Sequence, residues 1–186
     1  MFRNHLRDRI SNLETLFYVY KNHSIDYDNE VVTFYLYNQS KQLVGFQQYK
    51  WKGSKKHSKD IKPCDMKYFT HCKDKIGVFG IDSWKHKDKP LVLVEGVFEQ
   101  LRLQKHVDTV AVLCNNPRHI KSWLFAQPRE TVAVCQNDKA GMILAKSCDR
   151  AIFLPEGVDT DELSDVQLTE LLEEIMNDQS NNKCSE

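Results

Sequence analysis

Apolar residues return every three or four positions through the start of the chain, at Phe2, Leu6, Ile10, Leu13, Phe17 and Tyr20. That spacing predicts an amphipathic helix over 2–20 with one face on a core. The period then drops to two. VVTFYLY (31–37) and QLVGFQQYKW (42–51), joined by Asn38-Gln39-Ser40, predict a hairpin. GSKKHSKDIKP (53–63) reads as a loop, and MKYFTH and KIGVFGI as short extended or turn segments. From Pro90 onward short apolar runs alternate with helical patterns. LVLV (91–94), TVAVL (109–113), TVAVC (131–135) and RAIFL (150–154) read as strands. GVFEQLRLQKH (96–106), PRHIKSWLFAQ (117–127) and DKAGMILAKSC (138–148) read as the helices between them. This rhythm predicts a parallel sheet with right-handed crossovers. A last amphipathic helix is expected over 161–178, with Leu163, Val166, Leu171 and Ile175 on its apolar side, and then a disordered tail, 179–186.

Composition adds limits. The chain has 186 residues, 41% hydrophobic and 28% charged, which fits one domain, or one domain with a small attached lobe, and excludes a disordered chain. No apolar run approaches the roughly 18–20 residues of a membrane span. The segment MFRNHLRDRISNLE has no apolar core of a signal peptide, and six scattered cysteines form no CxxC pair. The expectation is a cytoplasmic protein with reduced thiols and no membrane partner. Cys64 and Cys72, with His57 and His71 nearby, lack structural-zinc spacing. No GxxxxGK[ST] motif marks a nucleotide-driven motor. Trp84, Trp123, Cys114 and Cys135 read as packing residues.

A net charge of zero conceals a gradient. Residues 41–90 hold 13 lysines against 5 acids, and residues 156–186 hold 10 acids against one lysine. The basic stretch interleaves Phe46, Tyr49, Trp51, Tyr68 and Phe69. Such a mixture suits a phosphate-backbone surface, and equally a solvated lysine-rich face.

Ligands of open parallel sheets gather beyond the carboxyl ends of the strands. Glu95 comes directly after the first of these strands, Asp138 after the third, and Asp159 and Asp161 after the fourth. Oxygen donors gathered on one rim suit Mg²⁺ or Mn²⁺. Taken singly, each acid also reads as a cap or first-turn residue of the next helix.

The ordered segments VEGVFEQLRL, QNDKAG and FLPEGVDTDEL on this β-α rhythm resemble a TOPRIM domain, the metal-binding unit of bacterial and phage primases, topoisomerases and some nucleases. Upstream, QLVGFQQYKW resembles the primase "GxxVGFxxR" stretch and MKYFTHCKDKIGVFG the primase "PKYLNS…K…LYG" stretch. The resemblance covers about residues 30–165 and implies a primase-like core. Its fold would be α/β, a TOPRIM fold with a roughly four-stranded parallel sheet flanked by helices, plus a small N-terminal α+β lobe. The implied division is a basic lobe over 1–89 and a TOPRIM domain over 90–178.

By that resemblance Glu95 is a metal ligand or general acid/base. Asp138 matches the second aspartate of a DxD pair, and Asp159 and Asp161 a later metal-binding pair. Glu99 stands where primases place an acid near the metals. Lys67 and Tyr68 match a Lys-Tyr pair that contacts nucleic acid or nucleotide, with Lys73 or Lys75 as the next lysine, while Lys50 and Lys52 extend the basic surface. One departure stands out, since the first aspartate of DxD is Gln136. It offers a neutral oxygen and removes one charge from an ion's shell.

The expected activity is template-directed synthesis of short RNA primers on single-stranded DNA from ribonucleotides, with a divalent ion. The short core implies a phage source, and a replicative helicase or a separate template-recognition protein as partner. Gln136 keeps open a non-catalytic nucleic-acid-binding module on the same fold. A TOPRIM nuclease fits less well, because the lysine-rich lobe resembles primases.

Overall fold

The computed structural model describes residues 1–9, 21–55, 61–73, 77–114, 117–155 and 157–177. Helix α1 spans Phe2–Arg9. The positions expected at Ile10, Leu13, Phe17 and Tyr20, and the tail 179–186, lie outside the described residues. A helix of eight residues is marginal alone. Phe2 and Leu6, both buried, hold it on the core at about 1.5–3 kcal/mol each.

Next in the chain come four antiparallel strands in the order β1-β2-β3-β4, as His23–Asp26, Val31–Tyr37, Leu43–Lys50 and Tyr68–Cys72. Alternation sets which face is buried. Val32, Phe34 and Leu36 point to the core and their neighbours are only half-buried. The hairpin matches the sequence pattern, but β1 was not expected. HSID is short and polar, and it becomes a strand by pairing His23–Asp26 against Val31–Phe34.

The second sheet is parallel, in the order β6-β5-β7-β8, from β5 (Leu91–Val94), β6 (Thr109–Ala111), β7 (Thr131–Gln136) and β8 (Arg150–Leu154). Helices α2 (Val97–Leu103), α3 (Lys121–Phe125) and α4 (Lys139–Ala145) occupy the connections. Both faces are covered. Val92 and Val94 join one core cluster, and Leu91 and Leu93 the other. The first cluster also contains Phe34 and Tyr49 of the antiparallel sheet, Phe98 and Leu101 of α2, and Phe2 of α1. The two sheets therefore share a core. Val78 bridges Tyr37 and Phe79 bridges Ala111, so a two-residue link joins the sheets through backbone hydrogen bonds as well.

The last helix, α5, spans Asp165–Met176 and starts four residues later than its apolar pattern predicts. Ser164 accepts from Gln167 N–H and Gln167 returns the bond, so a capping box sets the start. Asp161 consequently sits in a 3₁₀ turn, Thr160–Glu162, outside the helix. Val166, expected on the apolar side, is 68% exposed, and Leu168 takes its place beside Leu171 and Ile175. The helix expected over 117–127 contracts to α3 behind a 3₁₀ turn at Arg118–Ile120. Among the described residues no helix is long and apolar enough to cross a membrane.

Candidate active site

The connection from β5 runs to one side of the sheet and that from β7 to the other, which puts the topological switch point between their carboxyl ends. Glu95 leaves β5 on one side of it, and Gln136 ends β7 on the other. Asp159 and Asp161 arrive after β8. Glu95, Glu99, Gln136, Asp159 and Asp161 line a cavity of about 340 Å³ at this point.

Each acid has a distinct local setting. Glu95 is half-buried, and its carboxyl is raised above the ordinary glutamate range by burial first and then by the charges of Asp138 and Asp159. Asp138 caps α4, with Oδ1 accepting the Gly141 N–H at 2.7 Å. That cap uses one of its two oxygens. Gly141 is required there, because a Cβ would collide with the Gln136 carbonyl oxygen. Gln136 donates its side-chain amide to Asp159 Oδ1. The residue that replaces an acid in the resemblance thus serves as a neutral donor to a neighbouring acid.

Glu99 turns back on its own helix and accepts the Gly96 N–H at 2.6 Å. Burial pushes its carboxyl up to about 8, opposed by that hydrogen bond and reinforced by Asp159, Asp161 and Glu95. The Asp161 side chain is 2% exposed. Its Oδ2 accepts from Arg9 Nε at 2.8 Å and lies 2.6 Å from Arg9 Nη2. Its Oδ1 is buried with no hydrogen-bond partner. Burial raises the Asp161 carboxyl, and Arg9 opposes the rise.

A second cavity, about 840 Å³, adjoins the first through Arg9, Tyr68, Asp159 and Asp161. Its wall carries both signs, with Arg9, Lys55, Lys67 and Arg102 facing it beside Asp8, Asp159, Asp161 and Glu162. Lys67 lies over the Tyr49 ring at 5.7 Å, and burial, Lys55 and Arg9 all lower its pKa. Tyr68 receives Arg9 Nη1 at 3.3 Å, and burial raises its phenol. Lys67 and Tyr68 are therefore brought to the acids. Lys50 and Lys52 are not. Lys50 donates to the Cys64 carbonyl at 3.1 Å, and Lys52 pairs with Glu30 at 2.7 Å. Lys73 is exposed just past the end of β4, and Lys75 lies outside the described residues.

Arg9, His5 and Lys55 were not singled out from the sequence. Arg9 meets a partner 152 positions away, and no local motif signals such a pairing.

Glu95, Asp138 and Asp159 are hard oxygen donors, and the charges of the two aspartates both act on the Glu95 carboxyl, so the donor chemistry suits Mg²⁺ or Mn²⁺. Among the described residues, no three His, Cys, Asp or Glu side chains stand close enough together to hold an ion as placed. Asp138 is engaged by its cap, Asp159 by the Gln136 amide and Asp161 by the Arg9 guanidinium.

No family model and no curated protein sequence matches the chain. Solved structures do. The DnaG catalytic core is 18% identical with a TM-score of 0.56, over 87% of this chain and 59% of that one. The DnaG primase catalytic domain bound to single-stranded DNA is 18% identical at 0.53, over 87% and 58%. The primase fragment of the bacteriophage T7 primase-helicase is 13% identical at 0.51, over 78% and 61%. The architecture is thus the fold of primase catalytic cores, an α/β TOPRIM-like sheet with a small antiparallel lobe. At these identities the likeness establishes the fold. The chain spans about three fifths of the length of the primase structures it matches.

Proposed function

We propose that this chain is a primase-like nucleotidyltransferase core that joins ribonucleotides on a single-stranded DNA template with Mg²⁺ or Mn²⁺. The observation that supports this best is the join between the two cavities. An acid-lined pocket at a sheet switch point opens into a wider one whose wall also carries Arg9, Lys55, Lys67 and Arg102, within a fold shared with primase cores. A nucleoside triphosphate needs both environments, cations around its phosphates and acids around the reacting phosphorus.

Glu95, Asp138 and Asp159 would hold the ion. When bound, a divalent ion supplies neutralisation of the phosphates and polarisation of the phosphorus under attack. Lys67 and Lys55 orient and neutralise the β- and γ-phosphates in the larger cavity. The 3′-hydroxyl of one nucleotide attacks the α-phosphorus of the next, a P–O bond forms, and the bond to pyrophosphate breaks. The proton of that hydroxyl passes to water as the bond forms, Glu95 remaining an ion ligand. Template strand lies along the basic lobe, 1–89, with Tyr68 and Phe69 available for base stacking and Lys73 for phosphate contact. The TOPRIM unit, 90–178, carries the acids. A helicase partner fits the T7 neighbour, whose parent is a primase-helicase.

The test is incorporation of labelled ribonucleotides on single-stranded DNA, with Mg²⁺ and with Mn²⁺. Wild type should extend, and Glu95→Gln and Asp159→Asn should abolish extension while retaining DNA binding. One observation favours a second reading, a non-catalytic single-strand-binding module: Gln136 occupies Asp159 as a neutral donor. That module would bind DNA with a steep salt dependence and incorporate nothing with either ion.

A further inference from the structure

Two aromatic rings of the antiparallel lobe, Phe46 and Phe69, belong to neither core cluster. In β3, Gln47 and Tyr49 are buried toward the shared core, so Phe46, Gln48 and Lys50 stand on the opposite face of the sheet. The register carries that outer face across the neighbouring strands. Tyr35 of β2 and His71 of β4 flank Phe46, and Thr33 and Phe69 flank Gln48. Phe46 meets Phe69 edge-on at 6.2 Å and lies 5.6 Å from the His71 ring. His71 is exposed, and both phenylalanines are half-buried.

Beside the rings lies a cavity of about 310 Å³, whose wall includes Asp26, Thr33, Gln48, Lys50 and Phe69. The Gln48 amide donates to Thr33 Oγ1 at 3.4 Å. Asp26 is taken up by the N–H groups of Asn29. Lys50 donates to the Cys64 carbonyl and, among the described residues, pairs with no carboxylate. Residues 41–90, which supply β3, β4 and the loop between them, hold 13 lysines against 5 acids. Half-exposed rings on adjacent strands let bases stack, and lysines at their margin hold the phosphates.

We infer that this outer face of the β1–β4 sheet is a platform for single-stranded nucleic acid, with bases stacked on Phe46, Phe69 and His71 and one base seated in the cavity at Gln48. The platform is separate from the acid-lined pocket, because Gln47 and Tyr68, which line that pocket, leave the same two strands on the other side. It rests on the reading that the chain binds single-stranded DNA, and it places part of that strand clear of the catalytic acids.

The test is fluorescence anisotropy of a labelled oligothymidylate of about 20 nucleotides with the full chain, without ribonucleotides or divalent ion. Phe46→Ala and Phe69→Ala should each weaken binding about tenfold, and Phe46→Tyr, which keeps a ring, less than about twofold. Lys50→Gln should lower the slope of log affinity against log salt by about 0.7. Wild-type affinity in both alanine variants overturns the inference and leaves the functional reading standing. No binding by the wild type overturns both. Should the alanine variants fail to fold, ultraviolet crosslinking of the wild type to the same oligothymidylate carries the test. Adducts at Phe46 are expected, and adducts at Tyr68 with none at Phe46 overturn the inference.

Discussion

Glu99→Gln isolates the most strongly perturbed acid of the site. In the folded protein Glu99 titrates near 8, while its ordinary value is 4.5. Between those values the folded state keeps a proton that the unfolded chain has lost. Stability therefore falls as pH rises through this window and levels off above about 8. At ~1.4 kcal/mol per pH unit, the full gap costs the wild type ~4–5 kcal/mol at pH 9 relative to a neutral isostere. Glutamine keeps a carbonyl to accept the Gly96 N–H and cannot ionise. The variant and wild type should match near pH 4.5, and the variant should be the more stable by several kcal/mol at pH 9. Urea unfolding at several pH values with EDTA reads the difference directly. Parallel profiles for the two proteins would refute the buried, protonated Glu99.

The same geometry makes four further outcomes testable. Gly141→Ala should destabilise by about 1–3 kcal/mol in urea unfolding, because its methyl would collide with the Gln136 carbonyl. Gln136→Asp should raise Mn²⁺ affinity about tenfold by calorimetry, since a carboxylate replaces a neutral amide. The same change should lower stability in EDTA by about 1–3 kcal/mol, as Asp159 loses its donor. In alkylation at pH 8 read by mass spectrometry, exposed Cys64 should label well before Cys135 and Cys148, whose thiols burial pushes up to about 11 and about 12. Equal labelling of all three would contradict that assignment.

The parts of the fold legible in the sequence are those where a pattern is self-sufficient. β5, β7 and β8 are apolar runs that read at close to their true bounds, β5 and β7 because both of their faces are covered. The β2–β3 hairpin was legible from its alternation and its Asn38 turn. β1 was not, since HSID carries no strand pattern and exists through pairing with β2. The start of α5 turns on Ser164 and Gln167, a local signal masked by apolar spacing that continues upstream to Leu163.

The same division holds for the site. The strand ends of a parallel sheet share an edge, which predicts Glu95, Asp138, Asp159 and Asp161 on one rim; Glu95, Asp159 and Asp161 line the cavity there, and Asp138 instead caps α4. What each side chain does there could not be read. Glu99 faces Gly96 because burial leaves that N–H as its acceptable partner, and Asp161 faces Arg9 through packing of α1 against a core built from both sheets.

The proposed chemistry rests on a divalent-ion site at the switch point between β5 and β7. Crystals of the full chain soaked in Mn²⁺ and measured at the manganese edge test it most directly. One anomalous peak is predicted, bounded by Glu95, Asp138 and Asp159, with Arg9 still on Asp161. A map with no peak in that cavity, at ion concentrations that support ribonucleotide incorporation by primases, would contradict it.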